Sequence, residues 1–270
     1  KPEITREIIL KAARHQFIEG DGMNWWHEHN NFGIRNVFSD HQLWLPHVTT
    51  YYLERTGDLN ILNEKESYLK APLPDFINNP NWTGVPETTV EKFDLYDHCL
   101  RAIEKTFSFG KNGLPLIGNG DWNDGLNKVG EKGQGESVWL GWFLVSVLNR
   151  FIPYIQERGD LDRAKRYELT VKNLKYSLEK NAWDGKWYKR AFFDNGTILG
   201  SRSNREFKID SISQSWSLLS GAGRSDRSKI AMNSVLKHLF QDDLLLLISP
   251  AVKDSQIDPG YIRDYPAGVR

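Results

Sequence analysis

The stretch ESVWLGWFLVSVLNRFIPYIQE (136–157) decides the fold class. Val138, Trp139, Leu140, Trp142, Phe143, Leu144, Val145, Val147, Leu148, Phe151 and Ile152 go nearly all round a helix, so little polar face is left. That pattern predicts a helix buried on several sides, the centre of a helical core. Amphipathic segments flank it. Residues 3–18 carry Ile4, Ile8, Ala12 and Phe17 at helical spacing, and 41–56 follow Asp40 and stop at Thr56-Gly57. The spacing predicts further helices over 88–107 (Val90, Phe93, Tyr96, Leu100, Ile103), 160–181, 210–220 and 225–240. Between them lie 19–39, 71–87, 108–135 and 183–209, loops long enough to expect function in them. In the last, KWYKRAFF (186–193) followed by Asp194-Asn195-Gly196 predicts a hairpin through a type I′ turn. Buried and half-exposed helices alternate without a fixed repeat period. They predict a single all-α domain of paired helices arranged as a toroid.

Composition narrows the function classes. The 35 Lys and Arg residues equal the 35 Asp and Glu residues, so the broad basic field of a nucleic-acid binder is missing. The longest apolar run, Leu244–Ile248, is too short to span a bilayer, and no membrane contact is expected of this segment. A lone cysteine, Cys99, excludes an internal disulfide and fits a reducing compartment. Ten tryptophans and ten tyrosines exceed what a core needs in several loops, where they sit beside polar residues as sugar-stacking side chains would.

The chemistry concentrates in GNGDWNDG (118–125). Trp122 offers a flat face for a sugar ring, and Asp121 and Asp124 can exchange protons with a glycosidic oxygen. An inverting hydrolase needs two such carboxyls, roughly 6.5–9.5 Å apart, whereas anionic phosphate as nucleophile needs only one acid. The residue types also suit an Asx-rich turn capping a helix. In EGDGMNWWHEH (19–29), running into GIRNVFSD (33–40), Trp25 and Trp26 could wall a subsite, and Arg35 and Asp40 could bind hydroxyls or an anion. Asp40 equally serves as a helix N-cap. His27 and His29 have no third ligand in a zinc pattern and read as surface residues. In KIDSISQSW (208–216), Asp210 and Gln214 could face a cleft, although Asp210 is also a natural N-cap. His98 reads as a satisfied structural histidine, and GQGES (133–137) lacks the lysine and glycines of a phosphate loop.

Taken in order, FGKNGLPLIGNGDWNDGLNKVG (109–130), GQGESVWLGWFL (133–144), AWDGKWYKRAFFDNGTILGS (182–201), IDSISQSW (209–216) and DPGYIRDYPAGVR (258–270) resemble glycoside hydrolase family 94. GIRNVFSDHQLWLPHV (33–48) and LYDHCLRAIE (95–104) extend the resemblance over nearly the whole chain. GESVWL, YKRAFFDNGTILGS and IDSISQSW look most like its β-1,2-glucan branch. The resemblance implies an (α/α)6 barrel and inverting phosphorolysis of an oligosaccharide to α-glucose 1-phosphate. It implies no cofactor, with inorganic phosphate as co-substrate. It makes Asp124 the general acid, puts Trp122 in the subsite of the departing glucosyl unit, and adds Arg35 and Asp40 to that subsite. The family pattern R-x-R-x-S-D-D is broken here by Val37 and His41. Family members also carry a β-sandwich domain upstream and, beyond position 270, a histidine and phosphate-holding residues. The chain therefore reads as the middle of such an enzyme, keeping the acid but holding phosphate poorly by itself. The resemblance is compatible with a cytoplasmic enzyme, a homodimer at full length. A membrane-associated cyclic β-1,2-glucan synthase domain, an inverting hydrolase and a sugar-binding remnant stay open as alternatives.

Overall fold

The computed structural model describes residues 1–75, 78–253 and 257–266, so the last four residues of the block ending at Arg270 lie outside the described residues. The chain divides into two compact units, Lys1–Ser108 and Phe109–Arg270.

In the first unit, α1 (Pro2–Arg14) packs on α2 (His41–Thr56), and α2 on α3 (Leu95–Lys105). Helix α2 has the bounds its spacing predicts and closes at Gly57, whose φ of 70° favours glycine. Two antiparallel sheets accompany the helices. Strands β1 (Trp25–Trp26), β2 (Gly33–Asn36) and β4 (Asn81–Gly84) form one, and β3 (Lys65–Lys70) pairs with β5 (Glu87–Asp94) in the other.

Strand β5 corrects the helix expected over 88–107. The β-branched run Thr88-Thr89-Val90 favours an extended backbone, and β3 supplies the pairing that local spacing cannot reveal. Val90 is fully exposed rather than part of an apolar stripe. The helix starts only at Leu95, where the Asp94 carboxylate accepts the Asp97 amide at 2.8 Å. Inside this unit His98 is buried against Tyr68, with ring centroids 3.9 Å apart. Its Nδ1 faces Gln16 Oε1 at 2.7 Å; the Gln16 amide nitrogen is spent on the carbonyls of Gly20 and His98. Burial lowers the His98 pKa to about 4, outweighing the nearby Glu66 carbonyl.

The second unit is organised by α4 (Val138–Glu157), which packs against α5 (Leu161–Ser177) and α6 (Ser211–Leu219), with α7 (Ser225–His238) on α6. By length and composition α4 could cross a bilayer, but most of it is buried inside the unit, as its all-round apolar pattern predicts. A three-stranded sheet joins β6 (Glu136–Ser137), β7 (Ala191–Phe192) and β8 (Ile198–Leu199). The β7–β8 hairpin was expected, but its turn differs. Gly196 N bonds Phe193 O at 2.8 Å and Gly196 is its left-handed residue, which is a type I turn with a glycine bulge rather than type I′. Short pairs β9 (Ile209–Asp210) with β12 (Ile248–Ser249), and β10 (Phe240–Gln241) with β11 (Leu244–Leu245), complete the unit.

The all-α toroid is thereby corrected. With 45% helix, 19% strand and five small sheets, the described residues form a mixed structure. The strands are two to eight residues long and pair across loops, so helical periodicity was the wrong instrument for them.

One buried cation ties the second unit together. Arg190, fully buried just before β7, donates from Nη1 and Nη2 to Asp121 at 2.7 and 2.5 Å. Its Nε donates to Asp210 at 3.2 Å, at the start of α6. Asp210 also caps α6 through the Ser213 amide at 3.0 Å. Burial raises the Asp210 carboxyl above the usual carboxylate range, with Arg190 opposing.

Two outcomes are expected. The neutral imidazole of His98 is the form the fold accommodates, whereas the unfolded chain takes up a proton below about pH 6.5. Its stability contribution is therefore complete above that pH and is lost as pH falls towards 4, by about 3 kcal/mol in all. Urea unfolding at pH 7.5 and 5.0 should show this slope in the wild type and a smaller one in His98→Gln. Arg190→Met should cost roughly 3–5 kcal/mol by leaving buried carboxylates unpaired, and adding Asp121→Asn should recover part of it. Urea midpoints of the three proteins check this.

Candidate active site

The acidic motif begins on packed structure. Leu114 and Ile117 are fully buried, and their backbone is held by Ile117 N to Gly135 O at 2.8 Å and Ser137 N to Pro115 O at 2.9 Å. The buried Glu136 carboxylate accepts the amides of Asn112 and Leu114 at 2.9 and 3.1 Å, fixing the preceding turn. Gly118 and Gly120 then take φ values of 63° and 136°, which a side chain would oppose. The chain arrives at Asp121 already directed.

From there the side chains divide by burial. Asp121 is buried, its two oxygens engaged by Arg190, by the Ser137 hydroxyl at 2.5 Å and by the Asn123 amide at 3.0 Å. Trp122 leaves 49% of its surface exposed, an open aromatic face. Asn123 is buried and caps the following turn by accepting the Gly125 amide at 3.1 Å. Asp124 opens the single 3₁₀ turn Asp124–Leu126 and is half-buried. The side-chain cap of this turn is therefore Asn123.

This arrangement separates the two carboxylates of the motif. Asp121 carries a structural charge matched by Arg190, so it is committed before any ligand arrives. Asp124 is only partly buried and lies two residues from the exposed Trp122. Asp210 lies in the same buried network as Asp121, which agrees with its N-cap reading. Gln214 is also internal. Its Oε1 accepts Tyr188 N at 2.8 Å, and its Nε2 donates to Tyr188 O at 2.7 Å and Asp210 O at 3.0 Å. In this structure neither faces a cleft.

The other four candidates belong to the first unit. Arg35, in β2, is fully buried above the Phe17 ring, 4.0 Å from its centroid. It donates to Asp21 at 2.6 and 2.8 Å, to Glu19 at 2.8 Å and to the Ala71 carbonyl at 2.8 Å. Asp40 is buried before α2, but its side chain does not cap the helix; Oδ2 accepts Trp44 Nε1 at 2.9 Å instead. Trp25 is 40% exposed, and Trp26 stacks on His15 at 4.0 Å. Trp26, His15, Met23, Gln42, Trp44 and Val48 border a pocket of about 170 Å³ within this unit. His27 and His29 are exposed, and among the described residues no group of three potential metal ligands gathers.

Sequence reasoning missed Arg190. Its signal was present in YKRAFF, where Tyr188, Arg190 and Phe192 alternate on one side of an extended segment and all are buried. An arginine in such a row calls for a buried anion, but its identity depends on contacts 69 and 20 residues away.

A model of the glycosyl hydrolase 94 superfamily catalytic domain matches residues 1–270. The cyclic beta-(1,2)-glucan synthase NdvB of Rhizobium meliloti is 43% identical over 273 residues, covering 100% of this chain and 10% of that protein. Cellobionic acid phosphorylase of Neurospora crassa is 28% identical, and solabiose phosphorylase of Paenibacillus borealis 27%. Each of these two alignments covers 99% of this chain and 32% of the relative, so the chain spans a third or less of these proteins. A rhamnosidase from Klebsiella oxytoca with rhamnose bound superposes with a TM-score of 0.59 over 88% of this chain and 38% of its own. At 17% identity this shows a shared fold alone. On the full-length family match and these relatives, the chain belongs to the glycosyl hydrolase 94 superfamily, within its catalytic domain.

Proposed function

We propose that this chain supplies the acid-bearing part of an inverting sugar phosphorylase acting on β-linked, and specifically β-1,2-linked, gluco-oligosaccharides. Asp124 protonates the bridging oxygen of the terminal glucosyl unit, because an alkoxide is a poor leaving group without that proton. Inorganic phosphate, the co-substrate, attacks the anomeric carbon from the opposite face, giving α-glucose 1-phosphate and a shortened oligosaccharide. Being anionic already, phosphate needs no base, and the motif offers none: Asp121 is held by Arg190 and Ser137. Trp122 holds the sugar by stacking.

The observation that carries this reading is the contrast within the motif: Asp121 is buried on Arg190 and Ser137, whereas Asp124 is partly exposed, two residues from the open indole of Trp122. The β-1,2 linkage is supported by the 43% identity to a cyclic beta-(1,2)-glucan synthase, against 27–28% for the two phosphorylases. That same difference favours a second reading, in which the chain is a segment of such a synthase. In the first unit, Trp25 and Trp26 are proposed as sugar-contacting faces. Arg35 supports them indirectly, since it anchors β2, on which β1 is paired. Asp40, Asp210 and Gln214 are assigned to holding their helices rather than to direct contact.

In the full-length protein, β-1,2-gluco-oligosaccharide should yield glucose 1-phosphate only when phosphate is supplied; reducing sugar released equally without phosphate would replace phosphorolysis by hydrolysis. Asp124→Asn should lower kcat by roughly 10²–10⁴-fold, the usual contribution of a general acid, while oligosaccharide still binds by calorimetry. Unchanged turnover would take the acid role away from Asp124.

A further inference from the structure

We infer that the segment Asp258–Ile262 is a positioning strap for the acid, and that Gly260 and Ile262, which lie outside the reacting groups, set where the Asp124 carboxyl stands. The inference rests on Asp124 being the acid.

The strap touches the acid loop at successive points. Lys128 N donates to Pro259 O at 3.2 Å, and Tyr261 N donates to Asn127 Oδ1 at 3.0 Å. Asp258 closes the contact from its own side, with Oδ2 accepting Lys128 Nζ and Oδ1 accepting Gly260 N, at 2.6 and 3.1 Å. These bonds reach the residues three and four places beyond the acid. Nearer still, Ile262 lies over Gly125. A Cβ built on Gly125 would stand 2.9 Å from Ile262 Cβ, closer than two carbons approach. The fit is reciprocal. A Cβ on Gly260 would come within 2.6 Å of Gly125 O and closer yet to Asn127 Oδ1, and its φ of 124° is a glycine conformation. Each segment thus needs a glycine where the other presses on it, Gly125 under Ile262 and Gly260 against Gly125 O and Asn127.

The strap is also anchored in the core. Ile262 is 2% exposed and packs in one apolar cluster with Ile117, Leu126 and Val129, which precede and follow the acid. A 3₁₀ turn of three residues has too few internal hydrogen bonds to hold its own orientation. Asn123 caps its start, and the strap presses its body from Gly125 to Lys128. Moving a proton donor by about 1 Å is enough to cost on the order of 10²-fold in rate.

The test uses the full-length protein with two substrates. One is the β-1,2-gluco-oligosaccharide, which needs the proton; the other is a 2,4-dinitrophenyl β-glucoside, whose phenolate leaves without it. Ile262→Ala and Gly260→Ala should lower kcat at least tenfold on the oligosaccharide, with KM unchanged within twofold, and change the dinitrophenyl reaction less than twofold. Ile262→Val should restore most of the loss. Amide hydrogen exchange gives a readout apart from activity: the Lys128 amide should exchange at least tenfold faster in Ile262→Ala, while the amides of α4 keep their wild-type rates. Parallel losses on both substrates, or an unchanged Lys128 amide, would overturn the strap. Asp124→Asn with normal oligosaccharide turnover would remove the acid and this inference with it. An inactive Asp124→Asn beside a fully active Ile262→Ala would remove the strap alone.

Discussion

A single guanidinium between two carboxylates, all three out of water, is the constraint on which the second unit depends. Arg190 meets Asp121 through both terminal nitrogens and Asp210 through Nε, and the side chains of all three are fully buried. Desolvating an arginine is costly, and the return comes only when its planar fork is matched in geometry as well as charge. Here the match is unequal. Asp121 takes the bidentate position, while Asp210 takes the longer contact and is the carboxyl whose proton affinity rises with burial. The arrangement joins the acidic loop, the β7–β8 hairpin and the start of α6, which are far apart in sequence. The first unit uses the same device, with Arg35 facing Asp21 and Glu19 beneath β2. In each unit a buried arginine immobilises a segment that carries exposed tryptophan.

The motif around Asp124 is built by alternation. Residues 121 and 123 turn inward, and residues 122 and 124 turn wholly or partly outward. Asn123, with φ −94° and ψ 90°, is extended, and an extended chain sends successive side chains to opposite sides. The inward pair anchors and the outward pair is presented. Two aspartates three positions apart therefore differ in burial because of direction, not of residue type. A motif built this way gains rigidity from its buried residues, which suits the proton transfer proposed for it.

What the sequence made legible follows the range of the forces involved. Helix α2 was readable to its ends because its stop is a local left-handed glycine, and α4 because its apolar positions surround it. The β7–β8 hairpin was readable because the turn residues are adjacent, although the turn type was not. Asn-Gly suits type I′, but the network of bonds from Asp194 to the amides of Lys132, Gln134 and Gly135 constrains the loop from outside. Strands β3 and β5 were not readable, since each is stabilised mainly by the other. In the site, Asp124 and Trp122 were visible as a motif, whereas Arg190 was not. Asp210 and Gln214 looked available to a ligand and are instead engaged internally, an outcome that only their partners determine.

The same dependence on distant partners governs the turn that carries Asp124. Asp124 stands on a turn too short to orient itself, so the turn is held by Gly118 and Gly120 before it, by Ser137 and Arg190 through Asp121, and by Pro259 to Ile262 on the following residues. The neutral hydrogen bonds among these are modest, on the order of 1 kcal/mol each, and the buried Arg190–Asp121 pair is the strong member of the set. Their joint effect is a carboxyl with few alternative positions. In the proposed reaction that rigidity serves proton donation, while the exposed indole of Trp122 supplies the stacking face.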